Sequence, residues 1–192
     1  QVVTHLSVPG NRPDVPYSLL LVSLVKDVER IGDYAKNMAK RTSILANMSP
    51  INGSQAALRR MARAARRGGT AHILPTFITA PGTGYLAAMR TVREALTQAE
   101  PGTLGLHLEG PFLSPARPGI HPPDAVRKLA PGDLDALCEG VGGPLLLTLA
   151  PEEAPPGAIA RLTKAGLTVF AGHSEADHAA MSRAAEGGLG GA

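Results

Sequence analysis

The chain has 192 residues, 44% of them hydrophobic, which is enough to bury the core of one or two globular domains. Its formal charge is +3, but five of the 19 basic residues fall within positions 59–67, a pattern that indicates the solvated face of a helix. Aromatic residues make up only 3%, so stacking surfaces for single-stranded nucleic acid are missing. We therefore expect no nucleic-acid partner.

The cysteine content and hydropathy favour a cytoplasmic protein. The single cysteine, Cys138, excludes an internal disulfide and is typical of a reducing compartment. No apolar run approaches the roughly 18 residues that a membrane span needs, and no signal-peptide pattern opens the chain. We expect no membrane partner. Because the chain begins at Gln1 and ends in GGLGGA, we expect a fragment at both ends.

A long amphipathic helix is predicted near the beginning of the chain, where apolar residues recur at helical spacing from Tyr17 to about Ala46. The turn residues NMSPING at 47–53 would end it. This change of pattern predicts a domain boundary, with a helical segment at 1–49 and a second domain at 50–192. One helix cannot bury its apolar stripe alone.

The polar side of this helix carries Glu29 and Asp33, a like-charge pair at helical spacing that a metal cation or the neighbouring basic residues would compensate. The stretch SLLLVSLVKDVERIGDYAKNMAK at 18–40 resembles the PhoU family of phosphate-uptake regulators. The resemblance implies a helical bundle whose E-x-x-x-D helices can carry iron or zinc clusters, and this chain has one such motif. A PhoU-type regulator is therefore the alternative function.

After the boundary, short apolar strands alternate with helices, which predicts βα units and a parallel sheet. Because a closed barrel needs eight strands, four units predict an α/β fold that is part of a (β/α)8 TIM barrel. A small open sheet fits the same pattern. The predicted elements are helices at 55–67, 83–98, 131–139, 156–165 and 175–186, and strands at 71–78, 103–109, 144–150 and 167–172.

The predicted second strand carries a carboxylate at its end. His107 and Glu109 alternate with leucines and so share one face, and Pro111 then stops strand pairing. In α/β barrels the carboxyl ends of the strands hold the chemistry, which favours a functional Glu109. Hydrogen bonds to loop amides would explain a structural carboxylate equally well. His107 lies deeper in the strand and is predicted to pack or to support a neighbouring ligand.

A histidine is predicted at the same edge of the sheet as this carboxylate. His173 follows the fourth strand, so its side chain can converge with that of Glu109. One oxygen and one nitrogen ligand suit zinc or iron, and His121 in the loop after the second strand is the natural third group. Ser174 is predicted to cap the last helix, with Asp177 three residues later in an arrangement close to a capping box.

Four stretches resemble the N-acetylglucosamine-6-phosphate deacetylase family of the amidohydrolase superfamily, over about residues 54–192. The longest, HLEGPFLSPA, is specific, whereas AGHS alone would be weak. The matching stretches are GGTAHILPTFIT at 68–79, GLHLEGPFLSPARPGIHPP at 105–123, LTLAPE at 147–152 and AGHSEA at 171–176.

The resemblance implies metal-dependent hydrolysis of the N-acetyl group of N-acetylglucosamine 6-phosphate, with a divalent metal, most simply zinc or iron, as cofactor. It implies that Glu109 and His173 are metal ligands. It also implies that the backbone of Ile120 contacts the sugar and that His121 lines the site. The expected partner is a small phosphorylated amino sugar, and a homo-oligomer is left open.

The same resemblance implies that part of the active site lies beyond the matched stretches. The family continues into a strand with T-H-L-[FY]-N-A-M and later supplies the Asp that acts as acid and base. No residue of this chain matches that Asp, so no catalytic residue is assigned. The 192-residue chain alone is expected to bind metal weakly and to be inactive.

Overall fold

The computed structural model describes residues 54–192, which belong to a compact unit spanning Pro50–Ala192. The predictions for residues 1–49, including the long helix, the Glu29 and Asp33 pair and the PhoU-like stretch, lie outside the described residues. The elements in chain order are α1 Gln55–Arg67, β1 Thr76–Ile78, α2 Gly84–Thr97, β2 Leu106–Glu109, α3 Pro131–Cys138, β3 Leu145–Leu149, a 3₁₀ turn Pro151–Glu153, α4 Ala158–Lys164, β4 Thr168–Ala171 and α5 His178–Glu186.

The four strands form one parallel sheet in the order β1-β2-β3-β4, which confirms the predicted α/β fold. Glu109 at the end of β2 is in register with Ile78 of β1 and Thr148 of β3. Spatial order therefore follows chain order. A doubly wound sheet would instead reverse its strand order near the middle.

The two faces of the sheet differ in burial. On one face, apolar side chains pack against the helices and form the core, and their alternation along each strand gives this face its period of two. On the other face, Ile78 is 46% exposed and Phe170 is 38% exposed. The strand residues of the core are Leu106, Leu108, Leu145, Leu147, Leu149 and Val169, each at most 3% exposed.

Helix α1 packs its small apolar stripe against α2 and leaves four of its five arginines exposed, whereas Arg59 pairs with Glu100 at 2.8 Å. Ala57, Leu58 and Ala62 are buried, whereas Arg60 and Arg63 are exposed, as predicted for the basic run. Ser54 caps the helix by accepting a hydrogen bond from the Ala57 amide. No helix within residues 54–192 combines the length and the hydropathy that crossing a bilayer requires.

The first strand is shorter than predicted, because Thr76–Ile78 is paired continuously and the residues before it are not. Pro75 has no N–H to donate to a ladder, so it interrupts the pairing of the predicted strand at 71–78. Ile73 still forms an isolated parallel bridge with Thr103. The predicted strand at 71–78 therefore pairs at Ile73 and at Thr76–Ile78, with a gap in pairing at Pro75 between them.

The last helix begins at His178 rather than at 175, and its cap is Asp177, not Ser174. The Asp177 carboxylate accepts a hydrogen bond of 2.7 Å from the Ala180 amide. The Ser174 hydroxyl instead donates to Glu152 at 2.6 Å, across 22 residues. The Ser174 oxygen also accepts a hydrogen bond of 2.9 Å from the Ala176 amide, in a turn that precedes the helix. The predicted cap was wrong because the helix begins only at His178, where Asp177 is the residue in the capping position.

Candidate metal centre

Three side chains meet at the carboxyl ends of the strands, and each can offer one ligand atom to a shared cation. Glu109 is the last residue of β2, His173 is the second residue after β4, and His121 lies in the loop between β2 and α3. Their ligand atoms all lie within 4.8 Å of one another. Glu109 Oε1 is 3.2 Å from His173 Nε2 and 3.7 Å from His121 Nε2.

Glu109 is placed by the turn that ends β2. Gly110 has φ +81°, a conformation that ordinary side chains rarely adopt, and its amide donates to the Thr148 carbonyl at 3.0 Å. A Cβ at this glycine would lie 2.1 Å from Thr79 Oγ1. The strand therefore ends with the Glu109 side chain at the edge of the sheet, 30% exposed, and the chain turns away behind it.

His173 has φ +52°, the left-handed region that costs free energy for a residue with a side chain. Contacts from the β2–α3 loop hold it there. Its carbonyl accepts a hydrogen bond from the Ser114 amide at 2.9 Å, and its Nδ1 lies 3.1 Å from the Arg117 carbonyl. A Cβ at Gly119 would lie 3.0 Å from its ring, so the loop passes close to the imidazole.

His121 enters the site from the same loop and is almost completely buried, at 2% exposed. Its ring stands edge-on to that of His173, with centroids 4.6 Å apart. Its Nδ1 lies 2.9 Å from Thr79 Oγ1, which leaves Nε2 facing Glu109. The loop thus supplies one histidine and holds the other.

A buried charge network anchors the far end of this loop. Arg127 donates to Asp133 in a bidentate pair with one contact of 2.7 Å, and the Tyr85 hydroxyl donates to the same carboxylate at 2.7 Å. The Arg127 guanidinium also lies 5.1 Å from the centre of the Phe112 ring, and its amide donates to the Pro111 carbonyl. The Arg127–Pro111 hydrogen bond joins the two ends of the loop, and the Asp133 contacts fix the joined ends to α2 and α3.

The protonation states of this network follow from its contacts. Burial alone would raise the pKa of Asp133, but hydrogen bonds from Arg127 and Tyr85 outweigh it and lower that pKa below its ordinary value. Burial, with the hydrogen bond to Asp133, raises the pKa of Tyr85, and the Asp133 hydrogen bond raises the pKa of Arg127. Asp133 therefore stays ionised and Tyr85 stays protonated at neutral pH.

Burial and the neighbouring His173 ring lower the pKa of His121, although Glu109 opposes the shift. The neutral imidazole is therefore favoured at this buried position. Burial likewise lowers the pKa of His107, whose two ring nitrogens lie 3.0 Å from Thr76 Oγ1 and 2.9 Å from Thr148 Oγ1. Because both nitrogens of His107 are engaged, it offers no ligand atom.

The donor set fits a divalent cation. A carbonyl oxygen can only accept a hydrogen bond, so His173 must donate from Nδ1 to the Arg117 carbonyl. In the neutral ring this leaves the lone pair on Nε2, directed at the Glu109 carboxylate 3.2 Å away. Two acceptors at that distance repel each other unless a cation or a proton lies with them. Carboxylate and imidazole together are ligands that zinc and iron accept.

Other residues near these stretches lie in different settings. Ile120, predicted to contact substrate, is 86% exposed at the tip of the loop beside His121. His178 is exposed at the start of α5, away from the three ligand candidates. Glu152 receives hydrogen bonds from the Ser174 hydroxyl and the Glu175 amide, so it tethers the segment after His173.

Sequence reasoning missed the residues that orient the ligands. Thr79 and the Arg117 carbonyl each contact a histidine nitrogen, and the Arg127–Asp133 pair anchors the loop. A backbone carbonyl leaves no mark in the sequence. Thr79 did lie at the end of the predicted first strand, next to the edge where Glu109 was expected, and that position was an available signal.

Comparisons with known proteins point to one group of enzymes, although no family model matches the chain. The chain is 40% identical over 134 residues to N-acetylgalactosamine-6-phosphate deacetylase of Shewanella sp. strain ANA-3, covering 70% of this chain and 34% of the relative. It is 38% identical over 112 residues to N-acetylglucosamine-6-phosphate deacetylase of Haemophilus influenzae, covering 58% of this chain and 29% of the relative. The comparisons give no support for the PhoU resemblance.

A solved structure agrees with these relatives. The crystal structure of N-acetylglucosamine-6-phosphate deacetylase from Pasteurella multocida superposes with a TM-score of 0.66 at 35% identity, covering 71% of this chain and 36% of that one. The chain thus spans about a third of the length of the curated relatives it matches. Over that matched third of their length, the chain is similar in sequence and in fold to deacetylases of N-acetylglucosamine 6-phosphate and N-acetylgalactosamine 6-phosphate.

Proposed function

We propose that this chain belongs to an enzyme that hydrolyses the N-acetyl group of a 6-phosphorylated amino sugar, with N-acetylglucosamine 6-phosphate as the substrate. The observation that carries the proposal is the convergence of Glu109, His121 and His173 at the carboxyl ends of the strands, in a chain similar to deacetylases of such sugars. N-acetylgalactosamine 6-phosphate is the second candidate substrate, because the Shewanella relative at 40% identity acts on that sugar by its name.

We further propose that residues 50–192 are part of a (β/α)8 barrel and that residues 1–49 form a separate segment. Three features support the barrel. The parallel strands follow chain order, the helices cover one face of the sheet, and the candidate ligands lie at the carboxyl ends of the strands. The exposed face with Ile78 and Phe170 would then be part of the barrel interior.

In this proposal Glu109 and His173 hold a divalent metal, zinc or iron, and His121 supplies the third ligand atom from the described residues. A metal held there would polarise the amide carbonyl and lower the pKa of a coordinated water. The chain's own residues hold the ligands in place. The Arg117 carbonyl orients His173, and the loop from β2 to α3 covers both rings.

The sugar would approach along the loop tip. Ile120 is exposed beside the buried His121, so its backbone is available to a ligand that reaches the cluster. This position supports the prediction that Ile120 lines the substrate site. His121 would line it from beside the metal, because its ring is only 2% exposed. The proposed partner is accordingly a small phosphorylated amino sugar.

The test uses the full-length protein that contains this chain, with acetate release measured from both phosphorylated sugars. Glu109→Gln should lower the rate more than about a hundredfold, because removing a ligand costs more than removing a group that only supports one. Glu139→Gln is the matched control, since Glu139 is 69% exposed in a surface pair with Arg93, and it should leave the rate unchanged. Acetate release from neither sugar would overturn the proposal.

A further inference from the structure

Thr79 lies at the point where the strand end and the loop of the candidate centre meet. It follows β1 directly and is 3% exposed. Its Oγ1 is 3.2 Å from the Glu109 carbonyl oxygen and 2.9 Å from His121 Nδ1. Thr79 thus contacts the backbone of one candidate ligand and the ring of another, without itself offering an atom to the cation.

The number of available hydrogens determines which group donates and which accepts in each of these two hydrogen bonds. A threonine hydroxyl carries one hydrogen, and the Glu109 carbonyl can only accept. Both bonds form together only if the hydroxyl donates to Glu109 and its oxygen accepts from His121 Nδ1–H. His121 then carries its proton on Nδ1, and the lone pair lies on Nε2, which is 3.7 Å from Glu109 Oε1.

His173 obtains the same tautomer from a different partner. Its Nδ1 faces the Arg117 carbonyl, which also can only accept. The two histidines therefore present Nε2 to the same carboxylate, one oriented by a backbone oxygen and the other by a side-chain hydroxyl. Only the second of these can be removed by substitution.

We propose that Thr79 is a positioning residue, which selects the Nδ1–H tautomer of His121 and thereby directs the Nε2 lone pair at the metal. The second clause rests on the metal site proposed above, whereas the first concerns the metal-free chain. The surroundings leave Thr79 little freedom. A Cβ at residue 110 would lie 2.1 Å from its hydroxyl oxygen, so the space that it occupies exists because residue 110 is glycine.

The direct test measures the tautomer of His121 by ¹⁵N NMR of the full chain, without metal, at a pH of about 8, where a histidine with an ordinary pKa of about 6.5 is neutral. Wild type should show Nδ1–H. Thr79→Val has the same shape but no hydroxyl, so it should lose this preference, and Thr79→Ser should keep it. An Nε2–H tautomer in wild type would overturn the proposal even if no variant folds.

A Zn²⁺ competition titration of the same proteins tests the consequence. Thr79→Val should bind Zn²⁺ about 10- to 100-fold more weakly, the usual cost of losing a group that orients a metal ligand, and Thr79→Ser should restore binding. Thr97→Val is the control, because Thr97 lies at the exposed end of α2 and its hydroxyl donates to the Arg93 carbonyl of the same helix. Equal losses in the valine and serine variants would overturn the role of the hydroxyl.

The two readouts also separate this proposal from the proposed function. If wild type shows the Nδ1–H tautomer and Thr79→Val loses it, while no protein binds Zn²⁺, then the metal site fails and the positioning role stands. If all proteins bind Zn²⁺ alike and Thr79→Val keeps the wild-type tautomer, then the metal site stands and the positioning role fails.

Discussion

The Nε2 atom of His173 lies 3.2 Å from Oε1 of Glu109, although 64 positions separate the two residues in the chain. The parallel sheet produces this proximity, because β2 and β4 both end at the same edge with only β3 between them. Because the Arg117 carbonyl can only accept from Nδ1, the neutral His173 ring directs its Nε2 lone pair at the carboxylate. This arrangement gives the first prediction.

Glu109→Gln and His173→Ala should each lower the affinity of the chain for Zn²⁺ more than about a hundredfold, because each removes a ligand rather than a supporting group. Metal content after dialysis, measured by mass spectrometry, and a competition titration would check this. His178→Ala is the control, because His178 is exposed and lies outside the cluster. Equal metal content in all three variants and wild type would contradict the site.

Gly110→Ala should destabilise the chain by about 2 kcal/mol or more, because the new Cβ meets Thr79 Oγ1 at 2.1 Å and φ is +81°. Urea unfolding would measure the difference. Gly132→Ala is a matched control, since it lies in the first turn of α3 with open space around it. That control should be neutral or stabilising by up to about 1 kcal/mol. Similar unfolding free energies for both variants would contradict the packing described.

Asp133→Asn should cost about 3 kcal/mol at neutral pH, because it leaves Arg127 without its charge partner in a mostly buried network. The folded state lowers the pKa of Asp133, so the stabilisation by its ionised form is fully present above the unfolded pKa of about 4. It is lost as the pH falls through the lower folded pKa. The gap in unfolding free energy between wild type and the variant should therefore narrow in acid.

The matched control for this pair is Asp135→Asn. Asp135 pairs with Arg161 on the surface, where both side chains are more than half exposed, so its loss should cost less than about 1 kcal/mol. Its gap to wild type should hardly change with pH. A gap for Asp133→Asn that stays constant down to a pH of about 2 would contradict the assigned ionisation.

The 192-residue chain alone should release no measurable acetate from either phosphorylated sugar, while it binds Zn²⁺ weakly. The described residues offer three ligand atoms and no match for the acid–base Asp of the family, and Ile78 and Phe170 leave the neighbouring sheet face exposed. A coupled acetate assay at high protein concentration would check this. Turnover that disappears in Glu109→Gln would show that the chain alone suffices for catalysis.

The sequence allowed good prediction of elements with local signals. Helix α1 was predicted at 55–67 and spans Gln55–Arg67, because a Ser54 cap and a glycine pair bracket a helical pattern. The end of β2 at Glu109 was also predicted, since Gly110 and Pro111 follow it. The roles of Glu109, His121, His173 and Ile120 stay predictions until metal and substrate binding are measured.

The parts that could not be predicted depend on contacts between distant positions. Ser174 has the local pattern of a helix cap, yet its hydroxyl donates to Glu152 and the helix begins only at His178. The Tyr85–Asp133 bond joins residues 48 positions apart, and no periodicity signals it. Such pairs form because the βα units bring the helices together on one face of the sheet. Which residues of neighbouring helices then meet depends on the three-dimensional packing, which the sequence pattern does not specify.

The left-handed backbone conformation of His173 favours one residue type for stability and another for metal binding. Its φ of +52° costs about 1 to 2 kcal/mol for an ordinary side chain, whereas asparagine adopts this region more readily. His173→Asn should therefore unfold at a higher temperature than His173→Ala while neither keeps the imidazole. If the site acts as proposed, this position is one where the chain gives up stability in exchange for function, and screening for thermostable variants would select against activity there.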